Sequence, residues 1–586
     1  MCDITSNCTY ILFSTKYEGG FGMPVREIHT TLTKTGFICG EKCTCASIFF
    51  NTRRKDAAPI ANQYILDIGT AVGEFARTKY PGAVLVKHTN MVRQSIETKE
   101  LLASNTHFIC EASFLQDGLF CAVDILEVTE PGHVKIIEVK SSTDVKDINY
   151  RDVAFQVYVL RKCGYVVDAA YLMYVNKEYV RDGELDPNEF FVVADVSEDV
   201  FNLQAEVEAE VKEIKEALLA DNDPEPVIGE YCFSPYECPF WGTICKKTLP
   251  ENSIFDIRGM QTRTKLDLYD DGICTMSDYL KTKKQNPKFR QQCLLTTTGD
   301  KGLKVDYVAL KAFLKKIKFP IVSLDFETIN EAIPPFNGLK PYTQIPFQFS
   351  MDVLRERGLN LEHFEYLANP KIDWRIEFAH KLVEFCPATG SVVVCSQAME
   401  RKRIEELAKL EGNEDIKDAL LNIASRIVDV LIPLMNRVIY CEAMHGSYSV
   451  KHLLPALFPD DKRLSYQDLS INNGMLASSA FSKMLHGDVS TFEEATMRKA
   501  LLIYCGLDTY GPLCILELMY KLINSDESEL FKKNDMLDYT GRTIRVGDIV
   551  YTDKGLGKVV GKTNSFVKIE LANGDIIRRR KYITVE

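Results

Sequence analysis

Acidic residues spaced for metal chemistry occur twice in this chain. AVDIL followed by KIIEVK holds Asp124, Glu138 and Lys140, and VSLDFET followed far downstream by YCGLD holds Asp325, Glu327, Tyr504 and Asp508. Glu138 and Lys140 are two apart on a predicted strand and so leave one face, as do Asp325 and Glu327 on theirs. Asp124 ends the apolar strand before Glu138, and the intervening Pro131 and Gly132 turn predicts a hairpin that gathers Asp124, Glu138 and Lys140. Tyr504 and Asp508, four apart, share one face of a predicted helix. Carboxylate oxygens of this kind hold magnesium or manganese, a lysine ammonium orients or stabilises an attacking hydroxide, and Tyr504 can orient the water. The chemistry implied is phosphodiester cleavage with no covalent enzyme intermediate.

Positioning these groups requires α/β elements, and the chain divides accordingly. Residues 1–250 carry the strand-like runs TKYPGAVLV, HFICEASF, LFCAVDILEV, HVKIIEVK and AAYLMYV among helical ones, with the charged helix AEVEAEVKEIKEALLA before a Cys-rich segment. Residues 251–319 are polar and helix-leaning, with LYDDGICTMSDYL and VDYVALKAFLKKIK as candidate helices, and read as a helical connector that spaces the two sites. Residues 320–530 open on the buried-strand run FPIVSLDFET and close on the helix ATMRKALLIYCGLDTYGPLCILELMYKLI. Residues 540–586 alternate apolar and polar positions between Gly and Asn-Gly turns, the pattern of a small SH3-like or KOW-like β-barrel. In that barrel Arg578, Arg579, Arg580 and Lys581 either form a solvated edge strand or dock nucleic acid. The fold class expected is α/β multidomain.

A chain of 586 residues exceeds one hydrophobic core, and 46% hydrophobic with 26% charged residues is ordinary soluble composition. No apolar run approaches the roughly 18 to 20 residues of a membrane span, and MCDITSNCTY lacks a basic segment leading into an apolar one. The default expectation is therefore a cytoplasmic protein without a membrane partner. A net charge of −12 disfavours broad nonspecific affinity for nucleic acid but leaves room for a local basic groove. Most of the 18 cysteines stand singly in apolar surroundings, as Cys121, Cys163, Cys395 and Cys514 do, where a small hydrophobe is expected.

The first constellation resembles the RecB-like branch of the PD-(D/E)XK nucleases, especially the iron-sulfur type found among CRISPR-associated nucleases. That resemblance implies a restriction-endonuclease fold. In this family a Gln and a Tyr after the catalytic strand complete the site; Gln156, four residues from Asp152, fits, and Tyr158 is offset from the usual spacing. GTAVGEF lacks the His that often assists the metal, leaving Glu74 or Glu111 for that place. Cys43 in GEKCTCASIF, with Cys232, Cys238 and Cys245 in YCFSPYECPFWGTIC, matches the family layout of one early and three late cysteines around a 4Fe-4S cluster. Four thiolates suit such a cluster or zinc, and the resemblance favours iron. Cys45 or Cys39 is the alternative to Cys43, and Trp241 and Phe240 are expected to shield the group from water.

The second constellation resembles the DnaQ-like 3′-5′ exonucleases of the DEDDy subtype, which implies an RNase H-like fold. The subtype expects a further Asp between DxE and YxxxD. VVVCSQAMERKRIEELAKL supplies Glu400 there, with Gln397 nearby, a change that keeps the charge and lengthens the arm. Asp429 is the alternative third carboxylate, read as a positional residue. HGSYSVKHLLPALFP resembles a segment of an uncharacterised bacterial exonuclease-like family found C-terminal to RecB-like domains; Lys451 and His452 in it either contact phosphate or begin a solvated helix. The combined expectation is a magnesium- or manganese-dependent deoxyribonuclease with two sites, for DNA end processing, repair or defence. RNA is the alternative substrate, and a nucleic-acid-binding scaffold with one or both sites inactive is the competing reading.

Overall fold

A computed structural model describes residues 31–586 except 59–62, 220–223, 235, 284, 525–528, 532–548, 553–554, 563–566, 572–575, 580–583 and 586. The N-terminal MCDITSNCTY, Arg580 and Lys581 lie outside the described residues. The chain forms two compact units, one of residues 1–250 with 331–343 and one of 251–330 with 344–586. Both are mixed α/β structures.

The first unit is built on a seven-stranded sheet. Strands β2 (Val84–Leu85), β3 (Phe108–Gln116), β4 (Leu119–Glu130), β5 (His133–Lys140), β6 (Val166–Val175) and β7 (Phe191–Asp195) follow in order, and β1 (Leu32–Thr33) pairs in parallel with β4. Strands β3, β4 and β5 are consecutive antiparallel hairpins, the β4–β5 turn using Gly132 at φ +83°. The step from β5 to the parallel β6 needs a crossover, which helix Asp147–Lys162 supplies. Alternation along β5 sends Val134 and Ile136 into one core with that helix, and Ile137 and Val139 into another on the opposite face. Of the expected strand TKYPGAVLV only Val84 and Leu85 pair, because Pro81 and Gly82 (φ +83°) break the run after a helix end.

Among the helices of this unit, the crossover helix included, are α1 (Lys34–Lys42), α2 (Thr44–Thr52), α3 (Gln63–Arg77), α4 (Asp147–Lys162) and α5 (Gln204–Leu218). Residues 331–343 depart from the expected 320–530 division: Ala332, Ile333 and Tyr342 join the core containing Ile137 and Val139. The Tyr342 hydroxyl donates to the Ser141 carbonyl, and the Tyr64 hydroxyl of α3 donates to Glu331 at 3.2 Å.

The second unit centres on a five-stranded sheet of β9 (Ile321–Ile329), β10 (Ile345–Leu354), β11 (Glu362–Leu367), β12 (Ser391–Val394) and β13 (Ile427–Asp429), in the order β11-β10-β9-β12-β13. The pairs β11–β10 and β10–β9 are antiparallel, whereas β12 runs parallel to β9 and β13 to β12. All ten residues of β10 are buried, as befits a strand covered on both faces. Two short strands, β8 (Lys304–Val305) and β14 (Ile439–Tyr440), pair with each other.

That pairing explains why the expected connector is no separate module. Asp306 N–H donates to Val438 O at 2.8 Å, and buried Gln292 donates to His445 O at 3.4 Å and accepts from Arg437, so residues 251–319 fold onto the second unit. Among its helices are α6 (Pro287–Thr298) and α7 (Tyr307–Leu314), and those of the rest of the unit include α8 (Arg375–Phe385), α9 (Gln397–Leu407), α10 (Val450–Leu457) and α11 (Thr491–Ile523). Helix α11 begins at a capping box in which Ser490 and Glu493 bond reciprocally. With 33 residues and an 18-residue window of mean hydropathy 1.3, it is long and apolar enough to cross a membrane, contrary to the expectation from the sequence. Its apolarity has a local cause, since 67% of that window is buried inside the protein.

Residues near the C-terminus form an antiparallel sheet of β15 (Ile549–Thr552), β16 (Gly555–Lys562), β17 (Val567–Leu571), β18 (Ile576–Arg579) and β19 (Thr584–Val585), ordered β18-β17-β16-β15-β19. Val559 and Ile569 are buried in it. Arg578 and Arg579 lie on its edge strand, paired with Lys568 and Val567.

Candidate active sites and a thiol pocket

The first site is a row across three strands. Continuing the register Cys110↔Ile125 and Ala112↔Val123 sets Glu111 opposite Asp124, and continuing Leu126↔Ile136 and Ile125↔Ile137 sets Asp124 opposite Glu138. The Asp124 carboxylate accepts the Val139 N–H at 2.7 Å, which ties the two strands where the ladder ends. Glu111 has φ +56°, a conformation that costs energy for a residue with a Cβ, and a carboxylate beside another carboxylate repels it. Arg77, at the end of α3, compensates through a 2.7 Å bond to Glu111. Arg77, Glu111, Asp124 and Lys140 line a cleft of about 80 Å³ beside Gly69 and Gly73 of α3. A Cβ on Gly73 would meet nothing within 4 Å, so the helix face there is bare. Glu74 is exposed, so of the two candidates for the missing His position Glu111 is the one in the cleft.

Next to the cleft, Glu138 is buried in a cage of donors. Its Oε1 receives Lys140 at 2.7 Å and Lys34 at 2.8 Å, and its Oε2 receives Gln156 at 2.7 Å. Asp152 closes the cage, bonded to Lys140 at 2.5 Å and Gln156 at 3.3 Å, with Lys34 at 3.5 Å. Burial pushes the Glu138 carboxyl up, but Lys140 and Lys34 outweigh it and hold the group well below its ordinary value. Burial likewise opposes the Lys34 charge, while Asp152, Glu138 and Asp124 hold that ammonium well above its usual range. Lys34, 104 residues from Glu138, was invisible to motif reading, and so was Arg77. Tyr158 turns away; it packs on the core with the Lys162 ammonium over its ring.

The second site lies where β9 meets α11. Asp325 and Glu327 leave the face of β9 toward the helix, and the Cys505 thiol lies 3.8 Å from the Asp325 carboxylate, with ligand atoms of Asp325, Glu327 and Cys505 all within 4.8 Å of one another. Asp508 accepts the Tyr466 hydroxyl at 2.5 Å, and Tyr504 accepts from Lys451 at 3.1 Å. Lys451 also donates to Asn472 O at 2.7 Å, so it turns into the site while His452 is exposed. Glu400 on α9 is buried with an unpartnered Oε2. Asp429, by contrast, spends its carboxylate on the Leu431 N–H at 2.8 Å and the Gln397 N–H at 3.3 Å, the positional role expected of it.

Electrostatically this centre is overcharged. Burial, then Asp508, Glu327 and Glu400, push the Asp325 carboxyl well up; burial and Asp508 do the same to Glu327. Burial lifts Asp508 to about 6 and Glu400 to about 8. Among the described residues, Lys451 is the cation whose charge acts on Asp508, Glu327 and Asp325. Such a cluster is stable near neutral pH only when protons or cations fill it, and its oxygen donors suit magnesium or manganese. Behind it, Thr509 anchors α11 to the sheet, donating to Asp352 at 2.8 Å while its carbonyl accepts from Ser323 at 2.7 Å; His363 bonds the other Asp352 oxygen at 2.8 Å.

A third cluster is a small void of about 10 Å³ lined by Cys43, Cys45, Cys232, Cys238 and Cys245, closed by Phe49 and Phe240. Sequence reading offered Cys45 as a substitute for Cys43, whereas both reach the void; Cys39 does not line it. A hydrogen bond from Cys45 lowers the Cys43 thiol to about 6. Burial, with the charges of Cys238 and Cys232, raises Cys245 to about 12. Phe240 lines the void as expected, whereas Trp241 is not among its lining residues and packs edge-on to Phe233. Converging thiols are the donor set for zinc or an iron-sulfur cluster.

Comparison with known proteins finds likeness to a domain and to proteins of unknown function. A family model described as "Domain of unknown function (DUF2779)" matches residues 322–449, the stretch holding Asp325, Glu327, Glu400 and Asp429. The chain is similar to the uncharacterized protein UU173 of Ureaplasma parvum, 24% identical over 274 residues that cover 43% of this chain and 37% of that one. It is also similar to the uncharacterized protein MG366 of Mycoplasma genitalium, 25% identical over 237 residues, 38% of this chain and 34% of that one. The chain thus spans about a third of the length of the curated relatives it matches. Among solved structures, one titled "Crystal structure of SSO0001" covers 38% of this chain and 88% of its own at 12% identity, with a TM-score of 0.19, too low to bear on fold or function.

Proposed function

We propose that this chain is a metal-dependent nuclease with two active sites. The observation that carries the reading is the second site: Asp325, Glu327, Asp508 and Glu400, distant in sequence, converge on one buried centre whose mutual repulsion calls for divalent cations. Ions there would be held by Asp325, Glu327 and Asp508, and would supply charge stabilisation and a nucleophilic water. Tyr504, placed by Lys451, orients that water, and Tyr466 steadies Asp508. The strand order β11-β10-β9-β12-β13, with a helix bearing Tyr504 and Asp508 across β9, supports an RNase H-like DnaQ-type fold and 3′-5′ trimming.

The first site supports a second, RecB-like activity. Asp124 and Glu138 are the metal ligands, Glu111 stands by as a third carboxylate, Lys140 faces the nucleophile and Gln156 orients Glu138. The thiol pocket is proposed to hold a 4Fe-4S cluster, with zinc as the alternative for the same thiolate donors. The C-terminal sheet is read as an SH3-like barrel that docks nucleic acid or a partner. DNA is the proposed substrate in end processing, repair or defence. End-labelled single- and double-stranded DNA, and matched RNA, incubated with magnesium, manganese or chelator, tests the proposal: shortening from the 3′ end that requires the metal is expected. Metal-independent cutting, or none on any substrate, rejects it, and preferred cutting of RNA overturns the DNA assignment.

A further inference from the structure

Site 1 holds more positive charge than a single catalytic lysine supplies. Among the described residues, Glu111, Asp124, Glu138 and Asp152 face Arg77, Lys34 and Lys140, so four carboxylates are answered by three cations before any metal arrives. A divalent ion on Asp124 and Glu138 turns that deficit into a surplus of one positive charge. It also competes with both ammonium groups for the Glu138 oxygens, and Lys34 is the looser of the two: its side chain is 16% exposed against 6% for Lys140, and its second carboxylate is farther, 3.5 Å against 2.5 Å.

The backbone holding Lys34 is firmly placed. Thr33 caps α1 by accepting the Gly36 N–H at 3.2 Å, Phe37 stacks on Phe155 at 4.8 Å, and a Cβ on Gly40 would stand 2.5 Å from Ile214 of α5. The other end of α1 runs into Cys43 of the thiol pocket. A lysine delivered on a rigid helix, parked on a metal-ligand carboxylate and left with a charge surplus once metal binds, is poised for an incoming anion.

We infer that Lys34 is a substrate-contacting residue of site 1, held on Glu138 in the metal-free protein and transferred to a nucleic-acid phosphate when a divalent ion takes that carboxylate. The inference rests on the nuclease reading of this site. No covalent bond to Lys34 forms or breaks. Water attacks phosphorus and gives up a proton to solvent, the P–O bond to the leaving strand breaks with its electron pair on the leaving oxygen, which takes a proton from solvent, and Lys34 balances charge on a non-bridging oxygen.

The test uses the full chain carrying Asp325→Ala, so that site 2 is silent, with Lys34→Ala and Lys34→Arg added separately. Without DNA, Lys34→Ala is expected to bind Mn²⁺ about 3- to 10-fold more tightly by electron paramagnetic resonance, because a competing cation is gone. With Ca²⁺ replacing Mn²⁺ to prevent turnover, the same variant should bind duplex DNA about 10- to 100-fold more weakly, with the salt dependence reduced by about one counterion. Cleavage should fall mainly through KM, and Lys34→Arg should recover most of it. These opposite signs exclude a merely structural role, which would weaken metal and DNA binding together. Unchanged DNA affinity in Ca²⁺, or Mn²⁺ affinity that falls with it, overturns the inference. A parent protein that binds DNA through Lys34 but never cuts it rejects the nuclease reading of site 1 and leaves the Lys34 contact standing.

Discussion

The two carboxylate centres of this chain solve the same electrostatic problem in opposite ways. In the first, Glu138 and Asp152 are neutralised from within by Lys34 and Lys140, and Glu111 by Arg77. In the second, four acidic groups crowd together with Lys451 as their described counter-charge, and their carboxyls are pushed upward. A centre whose charges are largely paired from within is preorganised without metal and must give up internal bonds to receive it. A centre that is overcharged is incomplete until cations arrive. The contrast implies different metal thresholds within one protein.

Exchanging charge for neutral isosteres should break the contrast most sharply. Glu138→Gln strands two buried ammonium groups and is expected to destabilise the protein by about 3 to 5 kcal/mol in denaturant titration. Asp508→Asn relieves repulsion and is expected to stabilise the metal-free protein by about 1 to 3 kcal/mol while abolishing trimming. If both substitutions destabilise alike, the second centre is not overcharged.

Stability should also depend on pH in a direction set by the second centre. Carboxyls raised in the fold bind protons more tightly than in the unfolded chain, so falling pH favours the fold as it passes about 8 for Glu400 and about 6 for Asp508. Melting of chelator-treated protein should therefore occur at higher temperature near pH 6 than near pH 8, and Mn²⁺ should raise it more at the higher pH. Depressed carboxyls such as Glu138 lose their contribution only as pH falls below the ordinary value of 4.5, so they add no slope between pH 6 and 8, and a melting temperature that climbs over that range would contradict the overcharged second centre.

How much of this was legible beforehand depends on sequence distance. Asp124, Glu138 and Lys140 belong to one hairpin, so local periodicity and a Pro-Gly turn suffice to join them. Asp325 and Glu327 alternate on one strand, and Tyr504 and Asp508 share one helix face, but nothing local says that those elements meet. Lys34 and Tyr466 carry no motif; they reach their sites through α1 and a loop, and only the fold delivers them. TKYPGAVLV misled because its β-formers flank a turn. The 331–343 excursion was hidden because Ala332, Ile333 and Tyr342 read as ordinary loop residues until the core they fill is known.

Smaller effects sharpen the picture. With five thiols on the pocket, Cys45→Ser is expected to keep the bound metal while Cys245→Ser loses it, read by metal analysis of anaerobically purified protein; iron with sulfide supports the cluster, and zinc alone rejects it. Smallest of all, exposed His452→Ala should change stability by less than about 0.5 kcal/mol, whereas Lys451→Ala should cost activity through Tyr504.

Manganese binding to the DNA-free protein, followed by electron paramagnetic resonance in wild type, Asp325→Ala and Lys140→Ala, tests the contrast most directly. The tighter ions should vanish with Asp325→Ala and persist with Lys140→Ala. Binding that survives Asp325→Ala unchanged would contradict an overcharged second centre completed by divalent cations.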